Sequence, residues 1–360
     1  MGLLVAIIIV GFVIFIHELG HFIFAKLWHV SVLQFAIGWG PKIISVKKRE
    51  TQYRLNLFPL IGGYVKLLGE EGDNSDEKDL DESSKWNLKR LDEIAPLKKA
   101  SVFGGGVLLQ FLICILILSL VVVFAGKPSS IVLVANVMEN SPAFISGIKS
   151  GDLILKANEN KIISSKALIE FISRNADREI LLQIKRKEAV LKIAVIPRFN
   201  PKENRAQIGV GIAETTVFSK EGMRLYEYVF GGAILTFKIA FKVMEGICSL
   251  ILRRVSLKAL IGPIGIVDLT GEVAKTGFLY TLLFFAIINI NLAIINAFPI
   301  PACDGAHLLM LSVESIFKIR ISPRFKRVIN IAGFALLILL LFYVSYNDLL
   351  NLQHKYLLKH

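Results

Sequence analysis

Long apolar runs and polar stretches of quite different grain alternate along the chain. From Leu3 to Ile16 there is no charged or strongly polar residue, and Phe22-Ile23-Phe24-Ala25 resumes the run after a short interruption. Residues 3–25 are therefore long enough to cross a bilayer. Gly104 to Ala125 reads as a second span, opened by the glycine triplet 104–106. A third begins near Phe278, is interrupted by Asn289, Asn291 and Asn296, and breaks at Pro299 and Pro301. Ile331 to Tyr343 forms the core of a fourth. A polar, broken helix of the third kind is tolerated only where it lines a cavity or packs in protein.

The stretches between the spans predict other elements. Lys26 to Arg54 alternates loosely around Gly38-Trp39-Gly40-Pro41 and predicts short strands joined by a turn. The paired Gly62-Gly63 allows a tight turn or a close backbone approach. Such strands predict either a plain hairpin or a sheet whose edge adds a strand from an extended substrate. Glu70 to Glu82 is acidic and lacks apolar period, as a solvated loop would. Trp86 to Lys99 predicts a basic amphipathic helix leading into the second span. Lys127 to Phe199 changes character: alternating β-branched segments around Ser141-Pro142-Ala143 and Gly147-Ile148-Lys149-Ser150-Gly151-Asp152 predict a small β-rich domain with one or two helices. Pro201 to Gly222 reads as a linker with strand-like pieces. In Leu225–Leu252, Lys238, Lys242 and Glu245 share one face, which suits an interfacial amphipathic helix better than a further span with snorkelling lysines. Leu260 to Ile266 reads as a Gly/Pro-broken loop.

Composition agrees with a membrane protein. Over 360 residues, 54% are hydrophobic, and the mean hydropathy is +0.60. The formal charge of +13 comes with no aromatic-interleaved basic patch, so the lipid bilayer with its anionic headgroups, and no nucleic acid, is the expected partner. The three cysteines, Cys114, Cys248 and Cys303, are widely spaced and suggest neither a disulfide framework nor a metal-binding pair. The N-terminus lacks the basic region and cleavage site of a signal peptide, so the first run is expected to be retained.

The interruption in the first span is His17-Glu18-Leu19-Gly20-His21. Ionisable residues at membrane depth are costly and mark function by default. On a helix, positions i and i+4 project from one face, so His17 and His21 can grip one ion. Glu18 sits about 100° round the helix, placed to poise a metal-bound water without being a ligand. HExxH is the zinc-hydrolase signature, and chance offers no compensation for burying three polar groups in an apolar helix. A catalytic zinc takes three protein ligands. Asp304, a carboxylate beside the break in the third span, is the natural third, although an Asp there also suits a helix N-cap. Cys303 is a rival on softness alone, and His307, one turn on, could hydrogen-bond behind a ligand. Asn296, with Asn291, could hold an extended substrate backbone.

Taken together, HELGH, Gly62-Gly63-Tyr64-Val65-Lys66, the SPA…GIKxGD segment and Asn296-x-x-Pro299-x-Pro301-x-x-Asp304-Gly305 resemble the site-2 protease family of intramembrane zinc metalloproteases. More narrowly they resemble its RseP-like bacterial members with an inserted PDZ domain. The resemblance implies an α-helical membrane protein of about four transmembrane helices, with a membrane-associated β-hairpin region and a β-rich PDZ domain. It divides the chain into 1–126 (first membrane half), 127–200 (single PDZ domain), 201–277 (linker and amphipathic helix) and 278–360 (second membrane half). It implies Zn2+ held by His17, His21 and Asp304, Glu18 as the catalytic acid/base, and Asn296 as the family's asparagine ahead of Asp-Gly; Asn291, Gly62 and Gly63 are expected substrate contacts from the residues themselves. Substrates would be single-span membrane proteins already clipped outside, such as anti-sigma factors, and remnant signal peptides, cut in the bacterial cytoplasmic membrane. Four positions depart from the family pattern: Cys303 replaces the Leu before Asp-Gly, Ala306 replaces the second glycine, and the Gly-Pro-x-x-Asn opening of the second span appears as Gly106-Val107-Leu108-Leu109-Gln110, with Val107 for Pro and Gln110 for Asn.

Basic residues at Lys98-Lys99 and from Lys318 to Arg327 mark cytoplasmic loops, which puts both termini and the PDZ domain outside. Two other readings compete. A catalytically inactive PDZ-containing membrane scaffold would be expected to have lost a member of the HExxH–Asp304 set. An ion transporter would show inverted repeats, and none is visible.

Overall fold

The structure, a computed structural model, describes residues 2–70, 87–187, 189–201, 203–220 and 222–357. It divides into two compact units, Met1–Val121 with Tyr226–His360, and Val122–Leu225. Most of the expected acidic loop after Glu70 lies outside the described residues.

The first unit is built on helices. Among the described residues four are long and apolar enough to cross a membrane: α1 (Gly2–Leu27), α2 (Pro96–Ala125), α7 (Phe278–Ala297) and the body of α9 (Pro323–Leu357). Helices α1 and α2 touch backbone to backbone. A Cβ on Gly20 would lie 2.2 Å from Gly105 O, and one on Gly105 would lie 2.8 Å from Gly20 O. Close small-residue contacts of this kind are how helices associate where lipid removes the hydrophobic drive. The glycine triplet thus lies inside α2 and serves contact with α1 rather than opening the span. Ile9, Val13 and Ile16 of α1 then pack with Phe285 of α7 and Leu109, Ile113 and Ile117 of α2.

Two sequence expectations are corrected here. The expected amphipathic helix before the second span does not form; from Asn87 the chain makes a short 3-10 turn at Leu91–Glu93, and α2 starts at Pro96. Proline disfavours helical backbone at the residue before it, so Pro96 sets the start, and Lys98-Lys99 become part of the span's first turns. The Gly/Pro loop at Leu260–Ile266 instead contains the start of a helix, α6 (Pro263–Thr276). Pro263 occupies its first position, where a missing N–H costs nothing. Asp348 of α9 caps this end, accepting from Gly262 N at 3.1 Å and Gly265 N at 2.8 Å.

Helix α5 (Leu225–Ile251) keeps Lys238, Lys242 and Glu245 exposed, as their spacing requires. Its other face lays Leu235, Ile239, Val243 and Ile247 on Cys114 and Leu118 of α2 and Ala286 and Ile290 of α7.

Strands β1 (Val32–Lys48) and β2 (Thr51–Leu67) are each long enough to bend and pair twice. Val32–Ile37 pairs with Gly63–Leu67 on one side and with Gln52–Leu55 on the other, while Lys42–Lys48 pairs with Thr51–Asn56. The hairpin is therefore a four-segment sheet with Gly63–Leu67 along one edge.

The second unit holds β3 (Lys127–Val137), the single-turn α3 (Pro142–Ile145), β4 (Leu153–Ala157), β5 (Asn160–Lys161), α4 (Ser165–Arg174), β6 (Ile180–Arg186), β7 (Ala189–Val195), the small pair β8 (Arg198–Asn200) and β9 (Arg205–Gln207), and β10 (Val210–Ser219). Its main sheet is antiparallel in the order β10-β3-β4-β6-β7. The stretch 201–222, read from sequence as a linker with strand-like pieces, supplies β9 and β10, and β10 pairs along β3 from Val137 to Lys127. Asp152 explains the Gly-Asp motif in this unit: fully buried, it takes the Lys149 N–H at 2.8 Å and the Arg186 guanidinium at 2.7 and 2.8 Å.

Candidate metal centre

Helix α1 presents His17 and His21 on one face, and the break after α7 brings Asp304 to them. The chain leaves α7 at Ala297 and doubles back into α8 (Asp304–Phe317). Gly305 makes this possible, since a Cβ there would lie 2.2 Å from Phe298 O and 2.3 Å from Ala297 O. Gly333 of α9 supports the same turn, as its Cβ would meet Pro301 at 2.2 Å. Asp304 is the first residue of α8, and Cys303 is the N-cap. The side chain of Asp304 is thereby turned toward the histidines rather than used as a cap.

His17 Nε2, His21 Nε2 and Asp304 Oδ2 form a triangle with every side 3.2 Å. Tetrahedral ligands at about 2.0–2.1 Å from one zinc stand about 3.3 Å apart. Hydrogen bonds behind the rings fix what the triangle presents. His21 Nδ1–H donates to Val102 O at 2.8 Å, and His17 Nδ1–H donates to Gln110 Oε1 at 3.1 Å. Both Nε2 atoms are then left with lone pairs facing a buried carboxylate oxygen, Asp304 Oδ2, that has no hydrogen-bond donor. Three acceptors converging at this distance repel one another unless a cation lies between them, so the residues present fit a divalent metal. These three form the one cluster of metal-binding type among the described residues. Gly106 makes room for them: a Cβ there would lie 2.6 Å from His17 Nδ1 and from His21 Nε2.

The other sequence-predicted residues divide. Glu18 lies against the sheet edge, where a Cβ on Gly63 would meet its Cγ at 2.8 Å. Gly63 therefore lets β2 pass directly over the carboxylate side chain. Gly62, at φ +134°, lies under Trp39, whose Nε1 a Cβ would meet at 3.1 Å. Asn296 Nδ2 stands 3.2 Å from His17 Nε2. Asn291 is not brought to the cluster by any described contact: its amide donates to Ile287 O on its own helix. Cys303 lies outside the ligand triangle, and His307 stacks on Phe103 with ring centroids 5.1 Å apart. A cavity of about 640 Å³ is lined by Trp39, Phe103, Ala302, His307, Glu314 and Phe334, and none of His17, Glu18, His21 and Asp304 is among its lining residues.

The pair behind His17 has no role assigned from sequence. Gln110 Nε2 donates to Asn289 Oδ1 at 3.1 Å, and Asn289 Nδ2 donates back to Gln110 O at 3.0 Å; both residues are fully buried. Their signal was a Gln and an Asn inside apolar runs, but contacts spanning 93 and 179 residues have no local signature.

The model of peptidase family M50 matches residues 5–340. The chain belongs to peptidase family M50. A protein of Clostridium acetobutylicum that carries the provisional name zinc metalloprotease is 31% identical over 352 residues, covering 96% of this chain and 97% of its own. The regulator of sigma-W protease RasP of Bacillus subtilis is 28% identical over 416 residues, with 96% and 97% coverage. Among solved structures, the PDZ domain of an SdrC-like protein from Listeria monocytogenes aligns with 22% identity over 23% of this M50 chain and 86% of its own, at a TM-score of 0.22.

Proposed function

We propose that this M50 peptidase, an intramembrane zinc metalloprotease of a bacterial membrane, cuts single-span membrane proteins within their transmembrane segments after an earlier cut outside. The observation that carries the reading is the triangle of His17 Nε2, His21 Nε2 and Asp304 Oδ2, set among apolar helices. These atoms would hold Zn2+, which supplies a Lewis acid and a nucleophile available at neutral pH when bound. Glu18 takes the proton of the attacking water on its carboxylate and delivers it to the leaving amine. A Cβ on Gly63 would meet Glu18 Cγ at 2.8 Å, which supports a place for this side chain beside the sheet edge.

A helical substrate shields its own amides, so it must unwind before it can be cut. The Gly63–Leu67 segment pairs on one side with Val32–Ile37, and an unwound stretch adding to its other side would be held extended next to Glu18. Asn296 is the remaining polar side chain at His17 and is suited to hold a substrate carbonyl. On this reading the second unit is a PDZ domain outside the cytoplasmic membrane that screens trimmed ends, and the substrates are of the anti-sigma-factor and remnant-signal-peptide type. The relative named as a regulator of sigma-W supports that class.

The test uses one single-span reporter in two forms, with its outer domain intact and trimmed to a short stub. Cleavage of the trimmed form alone supports the proposal. Equal cleavage of both contradicts the requirement for prior trimming, and cleavage of neither contradicts the substrate class.

A further inference from the structure

The two histidines are held in different ways. His21 leans on a backbone carbonyl, Val102 O, which side-chain substitution cannot remove. His17 leans on a side chain, Gln110, which in turn is held by a second side chain, Asn289. The three groups come from three helices, α1, α2 and α7, and Gln110 and Asn289 are both wholly excluded from solvent. A buried amide pair in apolar surroundings is costly unless its bonds are met. Here Gln110 and Asn289 exchange two hydrogen bonds with each other, and Gln110 Oε1 is left as the acceptor that faces His17.

We infer that Gln110 and Asn289 are a coupled positioning pair for His17, locking its ring in the Nδ1–H tautomer so that Nε2 is always the atom offered to the metal. The direction of each bond supports this. Asn289 Oδ1 accepts from Gln110 Nε2 and so fixes which end of the Gln110 amide is oxygen and which is nitrogen. That leaves Oε1 toward His17, where only an N–H can satisfy it. An amide flipped the other way would place an NH2 against Nδ1, favour the Nε2–H tautomer and block the ligand position. Asn289 never touches His17 and acts through Gln110. The pair also explains why Gln suits this chain at the position where the family pattern has Asn: the longer side chain can reach both the ring and Asn289.

This inference rests on the metal reading of the same site, and its test separates the two. Zinc affinity would be measured on the full-length protein in detergent by chelator competition, for the wild type and for Gln110→Met, Gln110→Glu, Asn289→Leu and the double variant Gln110→Met/Asn289→Leu. Loss of a hydrogen bond behind a metal-bound histidine weakens binding by about 10–100-fold. Gln110→Met is expected to show that loss, and Gln110→Glu, which keeps an acceptor for Nδ1–H, to stay within about 3-fold of wild type. Asn289→Leu should lose less than Gln110→Met, and the double variant no more than Gln110→Met alone, the non-additivity of groups acting in series. A purely packing role would make Glu as damaging as Met and the two losses additive, and either result overturns the inference. So does wild-type affinity in Gln110→Met. If Gln110→Met does not fold, the Gln110→Glu and Asn289→Leu affinities decide alone. A wild type that binds no zinc overturns the metal reading and the inference with it.

Discussion

The individual residue that reports most on the centre is a glycine. Gly106 lies in mid-helix, where alanine normally stabilises by about 1 kcal/mol. Here the added methyl would sit 2.6 Å from both ring nitrogens, so the two effects have opposite signs. Gly106→Ala is expected to lower zinc affinity by about 10-fold or more, with the helix gain offsetting only part of an overpacking cost of about 1–3 kcal/mol in thermal stability. A melting curve beside a zinc titration reads both, and unchanged zinc binding would show that the rings do not rest on this glycine. Gly63→Ala probes the other wall of the site. The methyl would press on the Glu18 side chain and on Ala36 O at 2.9 Å. Displacement of a catalytic group by a fraction of an ångström to 1 Å costs up to about 10²-fold in rate. The expectation is a fall in cleavage with zinc retained, because Gly63 touches no proposed ligand.

Among the elements, the second unit carries the clearest pH dependence. Burial pushes the Asp152 carboxyl up, but hydrogen bonds from the Arg186 guanidinium and Lys149 N–H outweigh it and hold the group below the ordinary carboxylate range. A depressed folded pKa stabilises above the unfolded pKa, about 4, and that stabilisation disappears as pH falls through the folded value. The protection factors of the β4 and β6 amides, with the intrinsic pH dependence of exchange divided out, are therefore expected to be steady from pH 8 to about 5 and to fall only in stronger acid. Arg186→Ala leaves a buried carboxylate short of its partner, costs about 2 kcal/mol in this unit, and moves the acid limb upward. An unchanged acid limb would mean that Asp152 is not the group responsible. The four spans were legible in the sequence because twenty apolar residues in a row have few other uses. Asp304 was legible as a carboxylate at a break that lipid would not tolerate. Other elements were not. Pro263 reads equally as a breaker and as a first helical residue, and only Asp348, 83 residues from Gly265, decides for the helix. Strand β10 looks like linker until its partner β3, more than seventy residues earlier, is in place. Asn289 looked like an interruption and Gln110 like a departure from the family pattern because their value lies in each other. The expected substrate role of Asn291 rested on its residue type alone, and its amide is already engaged by Ile287 O.

At the scale of the molecule, the basic residues at Lys98-Lys99 and Lys318–Arg327 support an orientation with the second unit outside and the hairpin tip at Lys47-Lys48 inside. In a cysteine-free background, Lys161→Cys is expected to react with a membrane-impermeant maleimide on intact cells, and Lys47→Cys only after permeabilisation. The reverse pattern would invert the orientation and with it the idea that trimmed outer ends are screened. On the proposed mechanism a metal held by His17, His21 and Asp304 works with Glu18 as the proton carrier. The most direct measurement is cleavage of a trimmed single-span reporter by wild type and Glu18→Gln in the same membranes, with the zinc content of both purified proteins. The account predicts about one zinc in each and a loss of cleavage of at least about 10³-fold in the variant. Equal cleavage by the two proteins, with zinc bound in both, would contradict it.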